Sequence, residues 1–332
     1  MKILIVAPAW VGDMVMAQSL FKLLRARGNG VAVDVAAPGW TLDLLARMPE
    51  VRRAIALPLA HGELGLKKRW ALGTALRRER YDQAIVLPNS WKSALVPFAA
   101  GIPRRTGYVG EFRYGLLNDV RYLNKKARWL MVDRFNALGV DERAPLPEAP
   151  LPNLRADAAA ARGAVERLGL TTTAPILALC PGAEYGVAKR WPVAHFAELA
   201  RAKAREGWAV WLFGSAKDAP VTQGIAAASE GACVDLAGRT SLGEAIDLLS
   251  LARAVVTNDS GLMHVAAALE RPLVALFGSS DPSHTPPLSP TATVVYRALD
   301  CSPCFARECP LGHTRCLNDI TPADVLAALP TV

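Results

Sequence analysis

The chain has no uninterrupted apolar run near the roughly 20 residues that a bilayer-spanning helix needs. Its opening stretch, MKILIVAPAWVGD, has one lysine and a short apolar run before Asp13. The longer apolar core and small-residue cleavage site of a signal peptide are missing from it. These absences lead to an expectation of a cytoplasmic protein with reduced thiols. No G-x-G-x-x-G follows the first apolar run, which disfavours a nicotinamide cofactor there. There is no basic stripe interleaved with aromatics and no zinc-finger or RNA-binding signature, so nucleic acid is not an expected partner. No short-period repeat is visible. Cysteine is scarce, six in 332 residues, and four of the six crowd into one stretch near the end.

What is present points to a two-domain α/β protein. At 332 residues the chain is too long for one ordinary core, and with 52% hydrophobic residues it can bury two. Apolar runs alternate with helical patterns: KILIVAPA (2–9), VAVDVAA (31–37), AIAL (54–57), QAIVLP (83–88) and, more weakly, TGYV (106–109). The pattern restarts at ILALCPG (176–182) and continues through AVWLFGS (209–215), CVDLAG (233–238), AVVTNDS (254–260), LVALFGS (273–279) and TVVYRA (293–298). Such alternation predicts parallel sheets with helices on both faces. DERAPLPEAPLPNLRAD (141–157) is proline-rich and aperiodic and reads as a linker. The expectation is therefore two doubly wound domains, residues 1–150 and 151–332, facing each other across a cleft. Ligands of such sheets bind beyond the carboxyl ends of the strands, so residues just after strands carry the information.

Several junctions are polar where a plain turn would do. After the first strand, Gly12 permits a tight turn or a close backbone approach, and Asp13 either caps the next helix or stands as a general base. The loop CPGAEYGVAKRWP (180–192) ends in Lys189 and Arg190 just before Pro192, which marks a helix start. Two cations there either suit a diphosphate or are solvated. In LFGSAKDAP (212–220), Asp218 caps a helix or binds ribose hydroxyls. In AVVTNDSGLMHVAAA (254–268), Asp259 and Ser260, with the backbone N–H groups of Ser260 and Gly261, can bind hydroxyls or phosphate at a helix start. His264 lies one turn on, facing the same side as Ser260. No G-x-S-x-G elbow surrounds Ser260, so a Ser-His hydrolase is not implied. FGSSDPSHTPP (277–287) is a rigid turn able to line the cleft. CSPCFARECPLGHTRC (301–316) is spaced C-x2-C-x4-C-x6-C. That spacing suggests a metal knuckle but lacks the tighter paired spacing usual in zinc sites. Ordinary reduced thiols or a redox-sensitive cluster are expected, and no metal.

In order and spacing, PGAEYGVAKRWP, TNDSGLMHVAAAL, FGSSDP and CSPCFARECPLGH resemble glycosyltransferase family 9, the ADP-heptose:lipopolysaccharide heptosyltransferases, and its heptosyltransferase II branch more than the heptosyltransferase I branch. The resemblance spans nearly the whole chain. It implies a GT-B fold, an inverting transfer without a cofactor or metal, an ADP-heptose donor held mainly by the C-terminal domain, and an anionic lipid-linked core acceptor on the N-terminal domain. It assigns the base to Asp13 and neutralisation of the leaving diphosphate to Lys189. Asp259 would bind heptose hydroxyls, Ser260 and Gly261 the diphosphate, and His264 would support that turn or the phosphate. Gly12 belongs to the family's G-D motif, and Glu184 and Asp218 are further donor contacts. Arg190 stands where some relatives have histidine, which leaves its role open. The acceptor would be the first heptose of the inner core on Kdo-lipid A. Its negative charges, with an anionic inner leaflet at which the protein would sit peripherally, give the net charge of +8 a purpose. Lys67, Lys68, Arg69, Lys92, Arg104, Arg105 and Arg113 are the cations expected to meet them. The last helix is expected to return to the N-terminal domain. Another nucleotide-sugar donor, an epimerase, or heptosyltransferase I activity is the alternative enzymatic reading.

Overall fold

Apolar strands buried on both faces need helices above and below, and that requirement organises each half of the chain. The computed structural model describes residues 1–59 and 63–330, and the chain divides into two compact units, Met1–Pro152 and Asn153–Val332. The first unit contains β1 (Lys2–Val6), β2 (Ala32–Pro38), β3 (Val51–Leu57), β4 (Gln83–Val86), β5 (Arg104–Tyr108) and β6 (Asp119–Arg121). The second contains β7 (Ile176–Cys180), β8 (Ala209–Leu212), β9 (Cys233–Asp235), β10 (Ala254–Asn258), β11 (Leu273–Phe277) and β12 (Ala292–Tyr296). Each set forms one six-stranded parallel sheet, in the orders β3-β2-β1-β4-β5-β6 and β12-β11-β10-β7-β8-β9. Counted from its own first strand, each sheet has the same doubly wound order, with a switch point between β1 and β4 and another between β7 and β10.

Strand position shows in composition. Central β7, β10 and β11 (ILALC, AVVTN, LVALF) are buried at every residue. Outer β3 carries exposed Arg52 and Arg53, a charged edge that discourages pairing with another chain. β6, absent from the sequence expectation, is only DVR, too short and polar to register as an apolar run. It exists because it pairs with β5, and because the Asp119 carboxylate accepts from Arg104, Arg121 and Thr106. Those partners hold the Asp119 carboxyl at about 2, against the opposing effect of its burial.

The last helix, Pro322–Ala328, packs on the helix Val193–Arg205 of its own unit. Val325 and Leu329 join the second core beside Trp191, Phe196 and Leu317.

In the first unit one cation is spent wholly on the fold. Arg113 is only 1% exposed. Its guanidinium donates to the carbonyls of Tyr108 and Pro88 at 2.6 and 2.5 Å, and to the Ser93 hydroxyl at 3.1 Å. Burial holds its pKa down to about 10. The loops after β4 and β5 are thus tied together by one side chain. Arg113→Ala should strand these acceptors and lower unfolding free energy by about 3 kcal/mol. Urea denaturation checks this, and a change within error of zero would remove Arg113 from the fold's support.

Candidate active site

In the second sheet the loops that follow β7 and β10 leave from neighbouring strands, so residues 70 apart in sequence meet at the switch point. Asn258, the last residue of β10, fastens them. Its side-chain oxygen accepts from the Trp191 N–H at 3.1 Å, and its amide donates to the Pro181 carbonyl at 2.6 Å. Trp191 is fully buried, edge-on to Phe196, with its indole N–H on the Ile320 carbonyl at 2.8 Å. Both ends of the loop 181–191 are therefore anchored, and the segment between them carries Lys189.

Lys189 lies in a short 3-10 turn, Val187–Lys189, and its Nζ contacts an Asp259 carboxylate oxygen at 2.5 Å. The same oxygen accepts from the Ser280 hydroxyl at 2.5 Å. Asp259 is 6% exposed and the Lys189 side chain 16%, so the pair is largely shielded from water. The Lys189 ammonium also lies 5.0 Å from the centre of the Tyr185 ring. Ser280 and Tyr185 were not singled out from the sequence. Ser280 sat in a stretch that read only as a rigid turn, and Tyr185 in a loop whose cations drew the attention.

Asp259 leads into the helix Gly261–Ala268, with Ser260 at its cap position and Gly261 as its first residue. The first N–H groups of such a helix have no partner within it and form an anion-binding end. His264, one turn on, is 5% exposed. Burial pushes its pKa down to about 4, and Lys189 adds to that against the opposing pull of Asp259. Its imidazole is therefore neutral near pH 7 and supports the turn as a packed, uncharged group.

Other expected site residues have different settings. Asp218 closes a capping box: its carboxylate accepts from the Ser215 N–H at 2.9 Å and from the Ser215 hydroxyl at 2.8 Å. It also packs over Gly182, where a Cβ would come within 2.6 Å of the carboxyl carbon. The capping alternative for Asp218 is thus present in the fold. Glu184 is exposed and ion-paired with Lys217 at 2.6 Å. Arg190 is half-buried, and its Nε has no hydrogen-bond partner among the described residues.

In the first unit Gly12 and Asp13 stand inside the helix Val11–Arg25, and Trp10 occupies its cap position. The helix begins earlier than the sequence pattern suggested. Asp13 is therefore a first-turn carboxylate favoured by the helix dipole, not the cap, and Gly12 is helical rather than a turn.

The expected acceptor cations divide. Lys67 and Lys68 are exposed, Lys68 against Glu63 at 2.8 Å, and Lys92 is half-buried just beyond β4. Arg104 pairs with Asp119 at 2.9 Å. Arg69 is 7% exposed and donates to the Leu64 carbonyl, and Arg105 donates to the carbonyls of Leu116 and Ile102. Arg105 and Arg113, with several donors each held by backbone carbonyls, and Arg69, through its Nε, tie the fold internally.

The buried imidazole makes stability depend on pH. In the unfolded chain it takes up a proton near 6.5, whereas in the fold it resists down to about 4. Its contribution is complete above about 6.5 and is lost as pH falls toward about 4. Urea midpoints across that range should fall for the natural chain and fall less for His264→Gln. Parallel slopes would show that the imidazole is not the group responsible.

The chain matches the family model Glycosyltransferase family 9 (heptosyltransferase) over residues 69–315. Lipopolysaccharide heptosyltransferase 2 of Escherichia coli (strain K12) is 50% identical to it over 339 residues, covering 99% of this chain and 97% of that protein. Lipooligosaccharide heptosyltransferase 2 of Haemophilus influenzae is 48% identical, over 99% and 98% of the two chains. The solved structure of E. coli ADP-heptose lps heptosyltransferase II superposes with a TM-score of 0.89 at 48% identity, covering 99% of this chain and 97% of that one. The paired six-stranded parallel sheets are those of the GT-B fold. With the family model covering most of the chain, and relatives this similar along its whole length, the chain belongs to glycosyltransferase family 9, the heptosyltransferase family.

Proposed function

We propose that this protein transfers L-glycero-D-manno-heptose from ADP-heptose to the first heptose of the lipopolysaccharide inner core, on a Kdo-lipid A acceptor, with inversion at the anomeric carbon. The observation that carries the reading is the Lys189–Asp259–Ser280 constellation at a switch point, in a chain half-identical along nearly its whole length to heptosyltransferase 2. In this reading the unit from Asn153 onward binds the donor and the unit up to Pro152 the acceptor.

The chemistry follows from where charge grows. As the bond from the anomeric carbon to ADP breaks, negative charge builds on the diphosphate while the sugar takes on oxocarbenium character. Lys189, the Arg190 guanidinium and the N–H groups of Ser260 and Gly261 are donors suited to that charge, and such preorganised donors lower a barrier more than mobile water does. Asp259 orients Lys189 and offers its carboxylate to heptose hydroxyls. Asp13 takes the proton from the attacking acceptor hydroxyl, so the acceptor oxygen forms the new glycosidic bond as ADP leaves. Lys67, Lys68 and Lys92 remain as cations for the acceptor's phosphates and carboxylates. No helix among the described residues is long and apolar enough to cross a membrane. Peripheral contact with an anionic inner leaflet is proposed through exposed Lys67, Lys68 and Trp70, each lysine contributing about 1 kcal/mol near such a surface.

Mass spectrometry of heptose-terminated core-lipid A after incubation with ADP-heptose tests the function. One added heptose is expected, and none with UDP-sugars. Transfer only from a different nucleotide sugar would overturn the donor assignment. Asp13→Ala should abolish most turnover while calorimetry still shows donor binding. Lys189→Ala and Asp259→Ala, checked for folding by circular dichroism, should weaken donor binding as well, with a loss of about 3 kcal/mol in transition-state stabilisation for Lys189→Ala. Near-normal turnover in Asp13→Ala would remove it as the base. Because protein cations and N–H dipoles are proposed to hold the diphosphate, turnover should persist in excess chelator. Its disappearance with the fold intact would place a metal in the chemistry.

A further inference from the structure

Residues 301–316 follow β12 as an irregular loop that ends in the short helix Arg315–Asn318. Cys301 and Cys304 are exposed, Cys309 is half-buried and Cys316 is buried, all as thiols. The four sulfur-bearing side chains line a single small cavity of about 20 Å³. Among the described residues no three His, Cys, Asp or Glu side chains converge in a way that could hold a metal ion. Ser279, only 1% exposed, lines it too, and its hydroxyl has no hydrogen-bond partner among the described residues. A buried hydroxyl without an acceptor is costly.

The four thiols are not equivalent. Cys309 opens a tight turn in which the Gly312 N–H meets the Cys309 carbonyl at 3.1 Å, with Gly312 in the left-handed region at φ +71°. The backbone N–H groups of Thr314, Leu311, Gly312 and His313 are the donors that favour negative charge on the Cys309 sulfur. With Thr314 contributing most, they hold the Cys309 thiol below its ordinary range, against the smaller effect of burial. Cys316 is displaced the other way, first by burial and then by negative charge on Cys301, Cys304 and Cys309. The cavity therefore pairs Cys309, held below the ordinary thiol range, with Cys316, held above it.

We propose that this loop is a thiol modification site, in which Cys309 is the nucleophile toward low-molecular-weight disulfides and a second cysteine of the cavity resolves the product. The Cys309 thiolate attacks one sulfur of a disulfide RS–SR. A mixed disulfide forms and one RS⁻ leaves, taking a proton from solvent. A second cavity thiol then loses its proton and attacks the Cys309 sulfur, expelling the other RS⁻. Two protein thiols are oxidised to one internal disulfide, and RS–SR is reduced to two RSH.

The modification has a route to the candidate active site. The Arg307 carbonyl accepts from the Ala188 N–H at 3.0 Å, next to Lys189. The Phe305 carbonyl accepts from the Tyr185 hydroxyl at 2.7 Å, and the Arg307 guanidinium lies 5.2 Å from the same ring that Lys189 contacts. The Phe305 N–H donates to the Ser279 carbonyl at 2.7 Å, one residue before the serine that bonds Asp259. Gly186 has to be glycine for this contact, because a Cβ there would collide with the Arg307 backbone. Closing a disulfide inside the loop redraws the wall against which Lys189 and Asp259 are set, so oxidation weakens nucleotide binding. This last step rests on the donor-site reading given under the proposed function, whereas the thiol chemistry does not.

The full chain, reduced and then freed of reductant, is exposed near neutral pH to a chromogenic aromatic disulfide and, separately, to oxidised glutathione. Peptide mapping of early time points should find the first adduct on Cys309, followed by loss of the adduct and of two hydrogens from the intact mass. Cys309→Ser should react roughly tenfold more slowly than the natural chain. The mapping uses unsubstituted protein and so decides the matter even if that variant folds poorly. First labelling at another cysteine, or thiols that stay silent until a chelator strips a stoichiometric metal, would overturn the assignment. ADP should bind the oxidised form several-fold more weakly than the reduced form. Equal affinity with Cys309 oxidised sinks the coupling to the active site. Failure of the reduced protein to bind ADP at all counts against the donor-site reading alone, because the order of labelling decides the thiol chemistry without it.

Discussion

A carboxylate nearly sealed from water cannot remain charged alone, and Asp259 is 6% exposed. Removing a partner from such a group typically costs about 3–5 kcal/mol, so its surroundings are constrained to supply counter-charge and donors. They come from two other strand ends: the Lys189 ammonium from the loop after β7 and the Ser280 hydroxyl from the loop after β11. Three loops are thereby held in one arrangement around one oxygen atom. The ammonium that could meet a diphosphate is oriented before any ligand arrives, which favours electrostatic catalysis because little reorganisation is left to do.

The remaining supports are neutral, which suits a cationic site. His264 is kept uncharged by burial and adds no competing positive charge beneath Lys189. Asn258 satisfies a backbone N–H and a backbone carbonyl of the β7 loop without introducing charge. Tyr185 presents a ring face to the ammonium of Lys189 and to the guanidinium of Arg307, linking the site to the cysteine loop. Close backbone approach at Gly186 makes that link rigid.

Eleven strands, the proline-rich junction and the strand-end positions of Asp13, Lys189 and Asp259 were readable from the sequence, because apolar alternation and helix starts are local signals. β6 was not, since three residues that pair through a charged network have no hydrophobic signature. The availability of charged side chains was not readable either. Lys67 and Arg69 sit two residues apart on one helix, yet one is exposed and the other is buried against the Leu64 carbonyl. Arg105 and Arg113 look like surface cations in the sequence and serve as internal ties in the fold.

By itself, then, the order of residues determined two rounds of strand and helix, and which polar residues lie at strand ends, because periodicity and turn chemistry act over a few neighbours. Only the tertiary structure decided that β7 lies beside β10, which brings Lys189 to Asp259 across 70 residues of chain. It also decided that Asp218 caps a helix, that Ser280 completes the buried carboxylate's partners, and that four cysteines share one cavity. The physical reason is the same in each case. A polar side chain takes its role from whichever partner strand order and burial place within hydrogen-bonding distance, and that partner is distant in sequence or one of several nearby candidates.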